Sequence, residues 1–186
     1  MRIISGSARG RQLASITGLT IRPTPDRVRE ALFSMLNSRL GSFFGLKVLD
    51  LFAGSGALAL EALSRGADSA VLVDSSRQAE QTIEKNIALC QFQRQTTFIG
   101  RNVATTLTGL QGNSPFDLIF LDPPYGHQLV PPTLQAIADL QLLGENGIIC
   151  VDSAKNENYN DIGNLILITS RCFGSTRIHL YCLPED

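Results

Sequence analysis

From residue 46 to residue 151 short apolar runs alternate with segments of helical spacing. Leu46–Phe52, Ser69–Asp74, Thr96–Ile99, Phe116–Leu121 and Gly147–Val151 read as buried strands, apolar almost throughout and bounded by glycine, proline or polar residues. Ala57–Arg65, Arg77–Cys90, Val103–Leu110 and Pro132–Gln141 read as the helices between them. In the second helix Ile83, Ile87 and Cys90 fall on one face. Strands with no polar face, each followed by a helix, predict an α/β fold: a mostly parallel sheet with helices on both faces. The rhythm changes at the tail, where Leu165–Thr169 and Thr176–Leu183 are separated by Gly174 and no helix. A parallel partner would need a long crossover, so these two predict an antiparallel hairpin finishing the sheet edge.

The first forty residues follow another pattern. Short apolar runs broken by Gly6, Gly10 and Gly18 predict a small hairpin or extended arm through residue 22. A helix should follow, with Thr24 as its cap, Pro25 at its first position and Asp26 at the positive end of its dipole. Val28, Ala31, Leu32, Met35 and Leu36 make its expected buried stripe, Arg27 and Arg29 lie off it, and Gly41 ends it. The expected organisation is one domain over 1–186, with a basic arm and helix at 1–40 and a ligand-binding core at 46–186.

Charge sharpens the reading of the arm. Arg2, Arg9, Arg11, Arg22, Arg27, Arg29 and Arg39 face only Asp26 and Glu30, so residues 1–40 carry +5 and the other 146 carry −6. Arginine forks suit phosphate, and the arm reads as a docking surface for nucleic acid through Arg2, Arg9, Arg11, Arg22, Arg27 and Arg29. Aromatics are absent before Phe33, so the grip would be on backbone rather than by stacking. No apolar run reaches the ~18–20 residues of a membrane span, and the start lacks the apolar core of a signal peptide. Cys90, Cys150, Cys172 and Cys182 form no C-x-x-C pair and read as small hydrophobes in a reducing, cytoplasmic setting. His127 and His179 lack ligand spacing, so no metal site is expected.

Two segments carry chemistry. Asp50-Leu51-Phe52-Ala53-Gly54-Ser55-Gly56 turns from the first strand of the repeat into its helix, and Asp74 stands twenty positions after Gly54 at the end of the next strand. A glycine turn followed by an acid at that distance suits a nucleoside, the carboxylate accepting from the ribose hydroxyls. Asp50 argues against a pyrophosphate, whose charge it would repel. It favours S-adenosylmethionine, which has no phosphate and carries an ammonium and a sulfonium. Asn102 and Val103, just past the third strand, could bracket an adenine edge. Asp122-Pro123-Pro124-Tyr125 follows the fourth strand. Two prolines stiffen that corner and remove donors, leaving a carboxylate, carbonyls and an aromatic plate suited to a flat group bearing an amine. Open α/β sheets bind ligands at the carboxyl ends of their strands, where all these residues fall.

The order of glycine turn, acid after the second strand and D-P-P-Y after the fourth resembles the class I S-adenosylmethionine-dependent amino-methyltransferases. Met1-Arg2-Ile3-Ile4-Ser5-Gly6 with Arg9-Gly10-Arg11, and Arg22-Pro23-Thr24-Pro25-Asp26-Arg27-Val28-Arg29-Glu30-Ala31-Leu32-Phe33, more narrowly resemble the RsmD family. Its members are bacterial enzymes that methylate a guanine N2 of small-subunit ribosomal RNA. The resemblance implies a Rossmann-like methyltransferase sheet. It places S-adenosylmethionine among Asp50, Phe52, Ala53, Gly54, Ser55, Gly56, Asp74, Asn102 and Val103, and the target base at Asp122, Pro123, Pro124 and Tyr125. Asp74 stands where glutamate is common in related enzymes, and Asn102 where many have aspartate. Ribosomal RNA, free or within a small subunit or its assembly intermediate, is the implied partner of a monomer. Two other readings keep the sheet: a DNA adenine-N6 methyltransferase, for which no target-recognition insertion is visible, and an RNA-binding factor without catalysis. Asp50 speaks against a dehydrogenase, and Ser55, His127 and Asp122 lack the G-x-S-x-G elbow of a hydrolase.

Overall fold

The computed structural model describes residues 1–16, 26–112, 114–124 and 126–184. In chain order the elements are α1 (Asp26–Leu40), β1 (Lys47–Leu51), α2 (Ala57–Ser64), β2 (Ser69–Val73), α3 (Arg77–Cys90), β3 (Thr96–Ile99), α4 (Val103–Gly109), β4 (Phe116–Leu121), α5 (Val130–Asp139), β5 (Leu143–Ala154), β6 (Ile166–Phe173) and β7 (Thr176–Cys182). The strands form one sheet in the order β3-β2-β1-β4-β5-β7-β6. The five strands β1 to β5 are parallel, and β7 runs antiparallel between β5 and β6. The predicted mixed α/β sheet with its antiparallel tail is the observed one.

Strand periodicity divides the interior into two cores. Val48, Leu72, Leu118, Phe120, Ile148 and Cys150 point to the side of Leu32, Phe33 and Leu36 of α1, with α2 and α3. Leu49, Leu51, Ile119, Leu121, Ile149 and Val151 point to the side of α4 and α5. Neighbours in sequence thus serve opposite layers, which is why the strands read as continuously apolar.

Several boundaries moved for physical reasons. β5 runs well beyond Gly147–Val151 because Asp152, Ser153 and Ala154 pair with Ile178, Arg177 and Thr176 of β7. Polar side chains there hid a strand stabilised by its antiparallel neighbour. α5 starts at Val130 rather than Pro132, since prolines in the first turn give up N–H groups that have no helical acceptor. In α1 the buried residues are Arg29, Leu32, Phe33 and Leu36. The stripe is rotated from the one expected, and it brings Arg29 inside. Thr24 and Pro25, the expected start of α1, lie outside the described residues. Cys90 and Cys150 are buried as expected, whereas Cys172 is exposed on the edge strand β6. His127 is exposed and His179 buried. Among the described residues no helix is long and apolar enough to cross a membrane.

The N-terminal segment forms a small hairpin, with Ile3 N–H on Arg11 O at 3.0 Å, Gly10 N–H on Ile3 O at 2.9 Å and Leu13 N–H on Met1 O at 3.0 Å. It is docked rather than free. The fully buried Glu61 of α2 accepts from Ile4 N–H at 2.7 Å, Ser5 N–H at 3.0 Å and Arg65 Nε at 2.8 Å. Ser64 Oγ accepts from Ala8 N–H at 2.9 Å, and Ser64 O accepts from Ser7 N–H at 2.8 Å. Gly6, at φ +85°, passes so close that a Cβ would fall 1.6 Å from Ser64 O. Gly10, at φ +81°, has open space instead. Gly6→Ala should therefore dislodge the hairpin and cost at least about 2 kcal/mol, whereas Gly10→Ala should cost about 1 kcal/mol from its left-handed backbone alone. Thermal unfolding checks this; equal losses would mean that the docking against Ser64 contributes nothing.

Candidate active site

The carboxyl ends of β1 and β4 lie side by side where the strand order reverses, the place at which open α/β sheets receive ligands. Around β1 the backbone is tightly wound, with Phe52, Gly54 and Gly56 at φ 61°, 56° and 74°. A Cβ on Gly56 would meet Leu72 Cδ2 at 2.8 Å, so the turn can press onto β2 only with glycine there. Ala53 N–H reaches Val73 O at 3.0 Å, and Gly56 N–H reaches Ala53 O at 2.7 Å. The left-handed Gly56 caps α2 without a side chain, leaving the start of that helix to other acceptors. Asp50 supplies one: its Oδ2 accepts from Ala59 N–H at 3.1 Å.

Asp74 holds the other side of the turn. Its Oδ2 accepts from Gly54 N–H at 2.9 Å and its Oδ1 from Ser76 N–H at 2.8 Å. The glycine and the acid twenty positions later are in direct contact, and the half-buried carboxylate keeps lone pairs for further donors. Asn86, fully buried on α3 and unnoticed in the sequence, donates from Nδ2 to Ser55 O at 2.9 Å and to Ala14 O at 3.0 Å. Its Oδ1 accepts from Ala14 N–H at 2.7 Å, so it clips the N-terminal segment to the glycine turn. Asn102 caps α4 through Ala104 N–H at 2.9 Å, and the Val103 side chain is buried in the core under α4 and α5. That leaves the Asn102 amide N–H₂ and local backbone as what this pair can offer a base.

Asp122 continues β4 by one residue, its N–H directed at Leu51 O at 3.4 Å. The carboxyl is half-buried, Pro123 is buried and Pro124 is exposed; Tyr125 lies outside the described residues. Asp50, Asp122 and Asp152 alternate with the α5-facing residues of their strands and so share the face turned to α1 and α2. Asp50 is 1% exposed, and burial, with a lesser push from the charge of Asp74, takes its carboxyl up to about 8. Burial raises Asp122 well above the usual carboxylate range, helped by the charges of Asp152 and then Asp50. Asp152 was missed because β5 seemed to end at Val151. The rule that ligand-facing residues follow the strand ends would have found it. Among the described residues no group of three or more His, Cys, Asp or Glu side chains is arranged to hold a metal ion.

The arginines separate. Arg2, Arg9, Arg11 and Arg27 are exposed, with Arg2 Nε 3.2 Å from Asp26 Oδ2 and Arg11 donating to Leu89 O at 2.7 Å. Arg29, expected to contact RNA, is 1% exposed. It donates to Arg2 O and Asp26 Oδ1, each at 2.7 Å, and fastens the hairpin to α1 instead. Arg22 lies outside the described residues.

The site fits S-adenosylmethionine on the evidence of Asp50, a buried carboxyl with one described backbone donor and a strong bias against ionising unless a cation is near. The family described as "Conserved hypothetical protein 95" matches residues 1–182. The chain belongs to this family. It is 35% identical over 184 residues to "Putative rRNA methyltransferase YlbH" of Bacillus subtilis, covering 97% of this chain and 98% of that one. It is 37% identical over 153 residues to "Ribosomal RNA small subunit methyltransferase D" of Escherichia coli, covering 82% and 74% respectively. The solved structure titled "Putative methyltransferase yhhF from Escherichia coli" superposes with a TM-score of 0.85 at 34% identity, covering 100% of this chain and 99% of that one. The resemblance to the RsmD family drawn from the sequence is borne out.

Folded Asp50 keeps its proton to about pH 8, whereas an unfolded aspartate releases it near 4, so stability falls as pH rises between these values and levels off above them. Asp50→Asn keeps an oxygen for Ala59 N–H but does not titrate. Without cofactor the variant should match the parent near pH 4 and exceed it at pH 8, by roughly 5 kcal/mol. Thermal denaturation across this range checks it, and a difference that does not grow with pH would show that Asp50 is already ionised.

Proposed function

We propose that this protein transfers a methyl group from S-adenosylmethionine to the exocyclic N2 amine of a guanine in small-subunit ribosomal RNA, acting as a monomer in the cytoplasm. One observation carries the reading: Asp122 and Asp50 share one face of adjacent parallel strands, Asp50 in register with Phe120 and Asp122 two residues further on, roughly 8 Å apart by strand geometry. An acceptor for an aromatic amine and an acceptor for a cation are thereby held side by side. The names carried by relatives that match over most of their length support the nucleic-acid substrate.

The cofactor supplies an electrophilic methyl group on a sulfonium. Asp50 would hold its ammonium, Asp74 its ribose hydroxyls, the Phe52–Gly56 backbone its flank, and Asn102 and Val103 the adenine. Asp122 and the Pro123 carbonyl would accept the hydrogens of the guanine amine, whose lone pair is otherwise delocalised into the ring. Holding them favours a pyramidal nitrogen with its lone pair free. Tyr125 would stack on the base and fix its plane, and this positioning can supply about 7 kcal/mol or more. The carboxylate of Asp122 then takes the proton that the nitrogen sheds, a role suited by burial, which raises its pKa well above the usual carboxylate range. The target must leave its stack to reach Asp122, which in RNA favours loops and bulges. Arg2, Arg9, Arg11, Arg22 and Arg27 would grip flanking phosphates.

Labelled methyl transfer onto ribosomal RNA, assembled subunits and DNA, followed by nucleoside analysis, tests the assignment. N2-methylguanine from ribosomal RNA or the small subunit is expected; N6-methyladenine from DNA would replace it with the other amine chemistry. Asp122→Ala should cut transfer at least about a hundredfold while cofactor affinity by titration stays within about tenfold. Unchanged turnover would remove Asp122 from the chemistry.

A further inference from the structure

We infer that Glu157 reads the ring edge of the target guanine and rejects adenine; the inference rests on the guanine-N2 reading above. Beside the D-P-P corner lies a recess lined by Pro123, Pro124, Val130, Asp152, Glu157 and Tyr159. Its outer wall comes from the chain just after β5. Glu157 is fixed there twice, its N–H donating to Ala154 O at 2.9 Å and its Oε2 accepting from Ala154 N–H at 2.9 Å. Its carboxylate also accepts the Tyr159 hydroxyl hydrogen and still keeps lone pairs for a ligand. Two residues on, the Tyr159 ring packs on His179 with centroids 5.1 Å apart, and His179 Nε2 lies 3.1 Å from Ser153 Oγ on β5. Burial, together with the charge of Glu157, pushes the Tyr159 hydroxyl up to about 12, so the wall pairs a neutral phenol with an anion.

The D-P-P corner alone accepts any exocyclic aromatic amine. Guanine carries N1–H directly beside its N2 amine, whereas the ring nitrogen flanking the adenine amine bears a lone pair. With the amine at Asp122 and Pro123, the next position along that edge faces the recess. A fixed carboxylate there accepts N1–H from guanine and repels the adenine lone pair. Asp152 lines the same recess but belongs to the strand face of Asp50 and Asp122, so Glu157, from the chain after β5, is the acid assigned to this edge.

The test uses synthetic RNA spanning the modified nucleotide, with either guanine or 2-aminopurine at the target. The analogue keeps the exocyclic amine but has a bare nitrogen at N1 and lacks O6. The parent protein should prefer guanine at least about a hundredfold in kcat/KM, as sites built around a substrate hydrogen do. Glu157→Gln, whose amide can donate to the bare nitrogen, should reduce that preference to about tenfold or less, with S-adenosylmethionine affinity unchanged within about twofold. Glu157→Ala should also narrow the preference, and decides the matter if the glutamine variant does not fold. Guanine methylation by variants that keep the parental preference overturns the role of Glu157 and leaves the guanine-N2 reading standing. No guanine methylation by the parent protein on this RNA, on ribosomal RNA or on the small subunit overturns both.

Discussion

A buried carboxyl that has no cation beside it holds its proton, and this constraint organises the functional end of the sheet. Asp50 and Asp122 occupy the ends of the two strands that flank the switch in strand order, and Asp152 follows on the next strand. Asp152 and Asp50 raise the cost of ionising Asp122, and Asp74 that of ionising Asp50. A ligand bringing positive charge relieves that cost, while one bringing phosphates adds to it. The preference for a sulfonium- and ammonium-bearing nucleoside over a dinucleotide therefore follows from charge as well as from the shape of the glycine turn.

The same helices serve the glycine turn and the N-terminal hairpin. α2 meets Asp50 through Ala59 N–H near its start and the hairpin through Glu61 and Ser64 near its end. Asn86 of α3 joins Ser55 of the turn to Ala14 of the segment that follows the hairpin. The arginines that remain outside are thus carried on a platform built against the helices that hold the glycine turn. A phosphate backbone gripped by Arg9 or Arg11 would be referenced to the same rigid helices that position the reacting groups.

Most of the sheet was legible in the sequence because the central strands are apolar on both faces and a helix stands between each parallel strand and the next. The failures share a cause. Arg29 read as a surface cation because its burial depends on a tertiary contact with Arg2 O as well as on Asp26 one turn back in α1. Asp152 and Ser153 read as loop because their strand conformation comes from pairing with β7, distant in sequence. Glu61, buried to satisfy the backbone of Ile4 and Ser5, carries no local sign of that role. Polar residues that fold inward to meet backbone leave no periodic signal. The glycine turn and Asp74 were legible for the opposite reason, since a steric need and a fixed offset are written locally and the two groups meet directly.

The proton count on cofactor binding tests the buried carboxyl at Asp50 most directly. S-adenosylmethionine titrated calorimetrically at pH 6.5, in buffers of differing ionisation enthalpy, should release close to one proton as Asp50 ionises against the incoming ammonium. The release should fade above about pH 8 and disappear in Asp50→Asn. Binding at pH 6.5 with no proton released would mean that Asp50 is charged before the ligand arrives, contradicting the electrostatic basis assigned to this site.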